Sequence, residues 1–79
     1  LNFNELIIHI MDRKKVMFSR IQNSLHIDIA FSHIDAVKYY RIDVHVNDYL
    51  VNRSHFETAQ ALLEAFNQHN VEELRYVII

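Results

Sequence analysis

Two spacings of apolar residues alternate along the chain, and the switches between them mark its elements. Phe3, Leu6, Ile7, Ile10 and Met11 recur at i, i+3, i+4 and i+7, one face of a helix, and predict a helix over 1–15. Asn2, with Glu5 three residues on, reads as an N-terminal capping pair, and Arg13-Lys14-Lys15 suit the negative end of the helix dipole. The period then falls to two. A short strand over 16–21 leads through Gln22-Asn23-Ser24 to the clearest strand, 25–31, where Leu25, Ile27, Ile29 and Phe31 alternate with His26, Asp28 and Ala30.

The same alternation returns over 39–46: Tyr40, Ile42, Val44 and Val46 face one way, and Arg41, Asp43 and His45 the other. Residues 32–38 form the wider loop between these strands. Asn47-Asp48, two residues that tolerate positive φ, predicts a tight hairpin into Tyr49-Leu50-Val51. Ser54-His55-Phe56-Glu57 has the spacing of a capping box, so a second helix is expected over 55–68. Phe56, Ala59, Leu62, Leu63 and Phe66 would form its buried face, and Asn70 would end it in the left-handed conformation. A last strand is read over 74–79.

The order α-β-β-β-β-α-β defines an α+β domain spanning 1–79. Hairpin connections imply an antiparallel sheet of three to five strands. Two amphipathic helices and strands with one apolar face each are satisfied together if both helices pack on the same sheet face. The opposite face is then left to solvent.

That open face carries a sequence mirror, His26-Ile27-Asp28 against Asp43-Val44-His45. One register sets His26 opposite His45 and Asp28 opposite Asp43; a shift by two residues sets His26 opposite Asp43, or Asp28 opposite His45. Two imidazoles and two carboxylates, His26, Asp28, Asp43 and His45, are an acceptable ligand set for zinc or another divalent ion. The plainer reading is an ordinary wet strand face, because neighbouring strands on a flat sheet seldom bring four side chains to one point. No metal or other cofactor is therefore assigned. The surface proposed for partner contact comprises His26, Asp28, Arg41, Asp43 and His45, with Glu57 and Glu64 from the acidic second half.

Composition narrows the chemistry further. The 79 residues include no glycine, proline or cysteine. This removes glycine phosphate cradles, the G-x-S-x-G nucleophile elbow, thiolate nucleophiles, cysteine zinc sites and disulfides. Serines 19, 24, 32 and 54 have no partner spacing for nucleophilic catalysis, so no enzyme is expected. An apolar content of 51% supplies a core without staples. The net charge of −2 is uneven, with bases concentrated in the first half and acids (Asp43, Asp48, Glu57, Glu64, Glu72 and Glu73) in the second. A basic stripe of the kind that grips a phosphate backbone is missing, which disfavours a nucleic-acid partner.

No run reaches the roughly 18 to 20 apolar residues of a membrane span. The first ten residues lack the pattern of a signal peptide. A cytoplasmic domain without membrane contact is expected, and the leucine at position 1 leaves room for a longer parent chain. The apolar tail Tyr76-Val77-Ile78-Ile79 either completes the sheet or forms an edge, through which strand 74–79 would make a homodimer.

Two families share parts of this layout. Val44-His45-Val46-Asn47-Asp48 resembles the second hairpin of double-stranded-RNA-binding domains, and Ser54-x-x-Glu57-x-x-Gln60-Ala61 resembles the start of their second helix. Their phosphate-gripping lysines are replaced here by His55, Phe56 and Ala59, and their hairpin glycine by Asp48. The resemblance therefore implies a degenerate version used for dimerisation or weak RNA contact. Leu1-Asn2-Phe3-Asn4-Glu5-Leu6-Ile7-x-x-Ile10 and Leu62-Leu63-x-Ala65-Phe66 are similar to helices of small phage-encoded anti-CRISPR inhibitors of αβββα build that block Cas9. That resemblance implies a non-enzymatic protein-interaction module, a small phage or mobile-element inhibitor or accessory protein with a host protein as partner. It would act through the exposed sheet face or through acidic groups presented in place of DNA. A His/Asp divalent-metal site is the remaining alternative.

Overall fold

The computed structural model describes residues 1–35 and 37–79. Helix α1 spans Phe3–Met11 and is capped as its sequence predicts: Asn2 Oδ1 accepts from the Glu5 amide at 2.9 Å, and Asn2 Nδ2 donates to Glu5 Oε1 at 3.0 Å. It buries Leu6 and Ile10 and stops at Asp12, so Arg13-Lys14-Lys15 form the connection rather than the last turn. Arg13 takes φ 62°, which a helix cannot continue through.

Strands β1 (Val16–Gln22) and β2 (Leu25–His33) meet in a two-residue turn in which Asn23 and Ser24 take φ 51° and 65°. Ser32 and His33 extend β2 into the expected 32–38 loop, of which position 36 lies outside the described residues. Strands β3 (Tyr40–Val46) and β4 (Tyr49–Phe56) join through Asn47 and Asp48 at φ 48° and 70°, the expected hairpin. Both turns carry the positive φ pair that matches strand twist, supplied without glycine.

The expected start of the second helix is corrected. Ser54, His55 and Phe56 lie in β4, opposite Ile42, Arg41 and Tyr40, and helix α2 spans Ala59–His69. Thr58 is its cap, with Oγ1 accepting from the Ala61 amide at 3.2 Å. Pairing with β3 lets Phe56 pack on the core from the sheet, and Ala59 is exposed. Asn70 ends α2 in the left-handed conformation, as expected. Strand β5 (Tyr76–Ile78) pairs antiparallel with β1, so the tail completes the sheet and forms one of its edges.

The five strands are antiparallel in the order β4-β3-β2-β1-β5. Both helices pack on one face, where Leu6, Ile10, Leu62, Ala65 and Phe66 meet Val16, Phe18, Ile29, Phe31 and Ile42. Edge-to-face rings join the layers: Phe66 lies 5.7 Å from Phe3, 6.4 Å from Phe18 and 5.8 Å from Phe31. Burying each such ring contributes on the order of 2 kcal/mol. Val71, after the α2 cap, is also fully buried, a core position that periodicity does not reveal.

One irregularity interrupts the ladder. Val44 pairs with Asn52 but His45 pairs with Leu50, so Val51 is an extra residue in β4. It moves Leu50 to the face shared by Arg53 and His55, and Tyr49 to the face shared by Asn52 and Ser54.

Candidate functional site

Cross-strand register decides which side chains share the face without helices. Ser19 stands opposite Asp28, Asp28 opposite His45, Ala30 opposite Asp43, Ser32 opposite Arg41, Asp43 opposite Arg53 and Arg41 opposite His55. This is the Asp28–His45 register among those the mirror allowed. His26 pairs on its other side with Ile21 of β1, and its amide donates to Asn47 Oδ1 at 3.0 Å. The expected open-face residues His26, Asp28, Arg41, Asp43 and His45 therefore share one surface.

Two carboxylates organise it, each in a different way. Asp28 accepts a hydrogen bond from the Ser19 hydroxyl on Oδ1, and His26 Nε2 lies 3.1 Å from the same oxygen. The carboxylate stands between serine and histidine, so Ser19 has no imidazole base and the trio is not arranged for nucleophilic attack. Asp43 is 7% exposed on a face that no helix covers, because arginine side chains lie over it. Arg53 Nε donates to Oδ1 at 2.7 Å and Nη2 donates to Oδ2 at 3.3 Å, a two-pronged grip, while Arg41 Nε lies 3.2 Å from Oδ2. Burial pushes the Asp43 carboxyl up. The Arg53 hydrogen bond and the charges of Arg41, Arg53 and His45 outweigh it and hold Asp43 below its ordinary value of 3.8.

The four candidate metal ligands do not converge. Asp43 is taken up by two arginines and Asp28 by Ser19 and His26, and among the described residues no group of three or more His, Cys, Asp or Glu could hold an ion. The acidic residues of the second half do not form one surface either. Glu64 is exposed on α2, on the opposite side of the sheet from Asp43. Glu57 follows β4 and binds Lys38 at 3.1 Å, Asp48 sits in a hairpin, and Glu72 and Glu73 follow α2.

Arg53, Ser19 and His55 belong to the surface but escape sequence reasoning. Alternation read back from Phe56, with a strand rather than a capping box over 52–56, sets Arg53 and His55 on this face, whereas alternation carried forward from Tyr49 is reversed at Val51. On the helix side, a cleft of about 330 Å³ opens between the α2 C-terminus and Ile27, Ile29 and Val44. Arg20 lines it and donates from Nη2 to the His69 carbonyl, which caps the negative helix end. Burial first, and Arg20 beside it second, lower the His69 imidazole below its ordinary 6.5.

The arrangement defines a two-layer α+β domain with one bare, charge-ordered sheet face. No protein-family model matches the chain, and no curated protein or solved structure matches it either. No helix of the described residues is long and apolar enough to cross a membrane.

Proposed function

We propose that this chain is a non-enzymatic protein-interaction module that docks a partner protein on its open sheet face. The observation that carries the reading is the fixed state of the charged groups there: Asp28 held by Ser19 and His26, and Asp43 by Arg41 and Arg53. Side chains already locked in place lose little rotamer freedom on binding, so contact energy is retained as affinity. Ile21, Leu50 and Val77, all exposed at positions of the same face, supply apolar area at the margins of the charges. Within this reading the chain acts as a small inhibitor or accessory protein in the cytoplasm, of the phage-encoded kind that its helices resemble.

Weak RNA contact through a double-stranded-RNA-binding arrangement is less well supported. The Ser54–Ala61 stretch behind that resemblance begins in β4 and reaches α2 only at Ala59, so its motif does not open a helix.

A photocrosslinking side chain placed at Ser32 or Met17 on the open face, and at Glu64 or Asn67 on α2, tests the proposal in lysate of the source cell. Protein adducts specific to the Ser32 and Met17 positions, reduced by His45→Ala, are expected. Adducts confined to Glu64 and Asn67, or none at any position, overturn it.

A further inference from the structure

The open face has a charge composition that the rest of the molecule lacks. Register places Asp28, Asp43, Arg41, Arg53, His26, His45 and His55 there, with no lysine and no glutamate. Both acids are engaged within the surface, Asp28 by Ser19 and His26, and Asp43 by two arginines. One buried carboxylate therefore faces two guanidinium groups. Three imidazoles share the face with this centre: His26 and His55 are exposed and His45 is half-buried. His45 faces Asp28 across the ladder and has Asp43 on its own strand; His55 faces Arg41 and shares its strand with Arg53; His26 faces Ile21 and Asp28. At the margins, Glu57 is bound by Lys38, and Asp48 lies in the turn after β3.

From this we infer that the docking face recognises an acidic polypeptide segment with interspersed apolar residues, and that it holds such a segment more tightly as pH falls through the histidine range. The inference rests on the reading of this face as a protein-docking surface. Neutral imidazoles leave two arginines balanced by two aspartates. Histidine side chains take up a proton as pH falls through the mildly acidic range. At His26 such a charge meets Asp28, whereas at His45 and His55 it meets no unengaged acid on the face, so the added field there is directed at the partner. Aspartate and glutamate side chains stay largely ionised over most of that range and complement it. Ile21, Leu50 and Val77 at its edges fit apolar side chains of the same segment. A nucleic acid is disfavoured because no lysine extends the arginine pair into a phosphate track, and the open-face positions carry no phenylalanine, tyrosine or tryptophan.

Fluorescence anisotropy with a labelled peptide of alternating aspartate and leucine tests this at low salt, with a lysine-for-aspartate peptide and a short duplex RNA as comparisons. Affinity for the acidic peptide is expected to rise about tenfold from about pH 7.5 to about pH 5.5 and to weaken with added salt. The triple variant His26→Gln, His45→Gln, His55→Gln should lose that rise. His9, His33 and His69 remain in both proteins, and circular dichroism with each single variant guards against a folding defect.

Absent binding, pH-independent binding, a rise retained by the triple variant, or tighter binding of the RNA would each overturn the inference. If the peptide fails while Ser32 crosslinks persist, only the acidic partner is lost. If both fail, the docking face falls with it.

Discussion

At the scale of single residues, Asp43 determines most about the open face. A carboxylate on an uncovered sheet face would ordinarily be solvated; here two arginines replace water and bury it. Removing one member of such a network leaves the others desolvated without a counter-charge. Because both guanidinium groups retain solvent access, Asp43→Ala is expected to cost about 1–3 kcal/mol, less than a fully buried pair. Urea unfolding at neutral pH measures it. The folded carboxyl titrates below its ordinary 3.8, so its contribution is complete above that value and is lost as pH falls below it, through the lower folded value. The wild-type urea midpoint should therefore drop across that acid window more than that of Asp43→Ala. Equal slopes would show that Asp43 carries no such linkage.

Elements were legible where the deciding interactions are local. The Asn2–Glu5 cap, the Asn47-Asp48 hairpin, the Asn70 helix stop and the alternation of β2 and β3 each depend on neighbours in the chain, and all appear in the structure. The β4–α2 boundary depends on a distant partner. Ser54-x-x-Glu57 is a sound local capping signal, yet Tyr40 opposite Phe56 and Ile42 opposite Ser54 prolong the ladder, and Thr58 takes over the cap. Losing a hydroxyl cap costs about 1 kcal/mol, so Thr58→Ala should lower stability by that amount while Ser54→Ala stays within about 0.5 kcal/mol. The opposite ranking in thermal unfolding would restore the helix to Ser54. The same distant pairing hid Arg53 and His55 of the candidate site. His26, Asp28, Arg41, Asp43 and His45 could be placed on one face by alternation alone, whereas the Asp43–Arg53 grip needs the register after Val51.

Across the whole molecule, burial and binding are assigned to opposite sides of one sheet. Phe18, Phe31 and Phe66 concentrate the core between the sheet and both helices, which leaves the second face free of any packing duty. Composition made this division predictable: without glycine loops or a thiol, the available chemistry lies on the faces of regular elements. Charge could not be divided so simply from sequence. The acidic second half is split by the fold, with Asp43 on one side of the sheet and Glu64 on the other.

The extra residue in β4 has a consequence for how concentrated solutions of this chain behave. Strand β4 is a sheet edge of eight residues with no proline or lysine to blunt it, and Tyr49, Leu50 and Val51 are exposed along it. Such an edge is ordinarily a template for fibrous aggregation. Val51 reverses the inward and outward alternation halfway along, so a second β4 laid antiparallel can match the faces of one half only. Deleting Val51 should leave the core packed but convert the protein to one that forms thioflavin-binding aggregates as concentration rises, read by light scattering and dye fluorescence. A deletion variant that stays monodisperse would show that colloidal stability is set elsewhere. On this account a single bulged valine, remote from the core, keeps an otherwise bare edge dispersed.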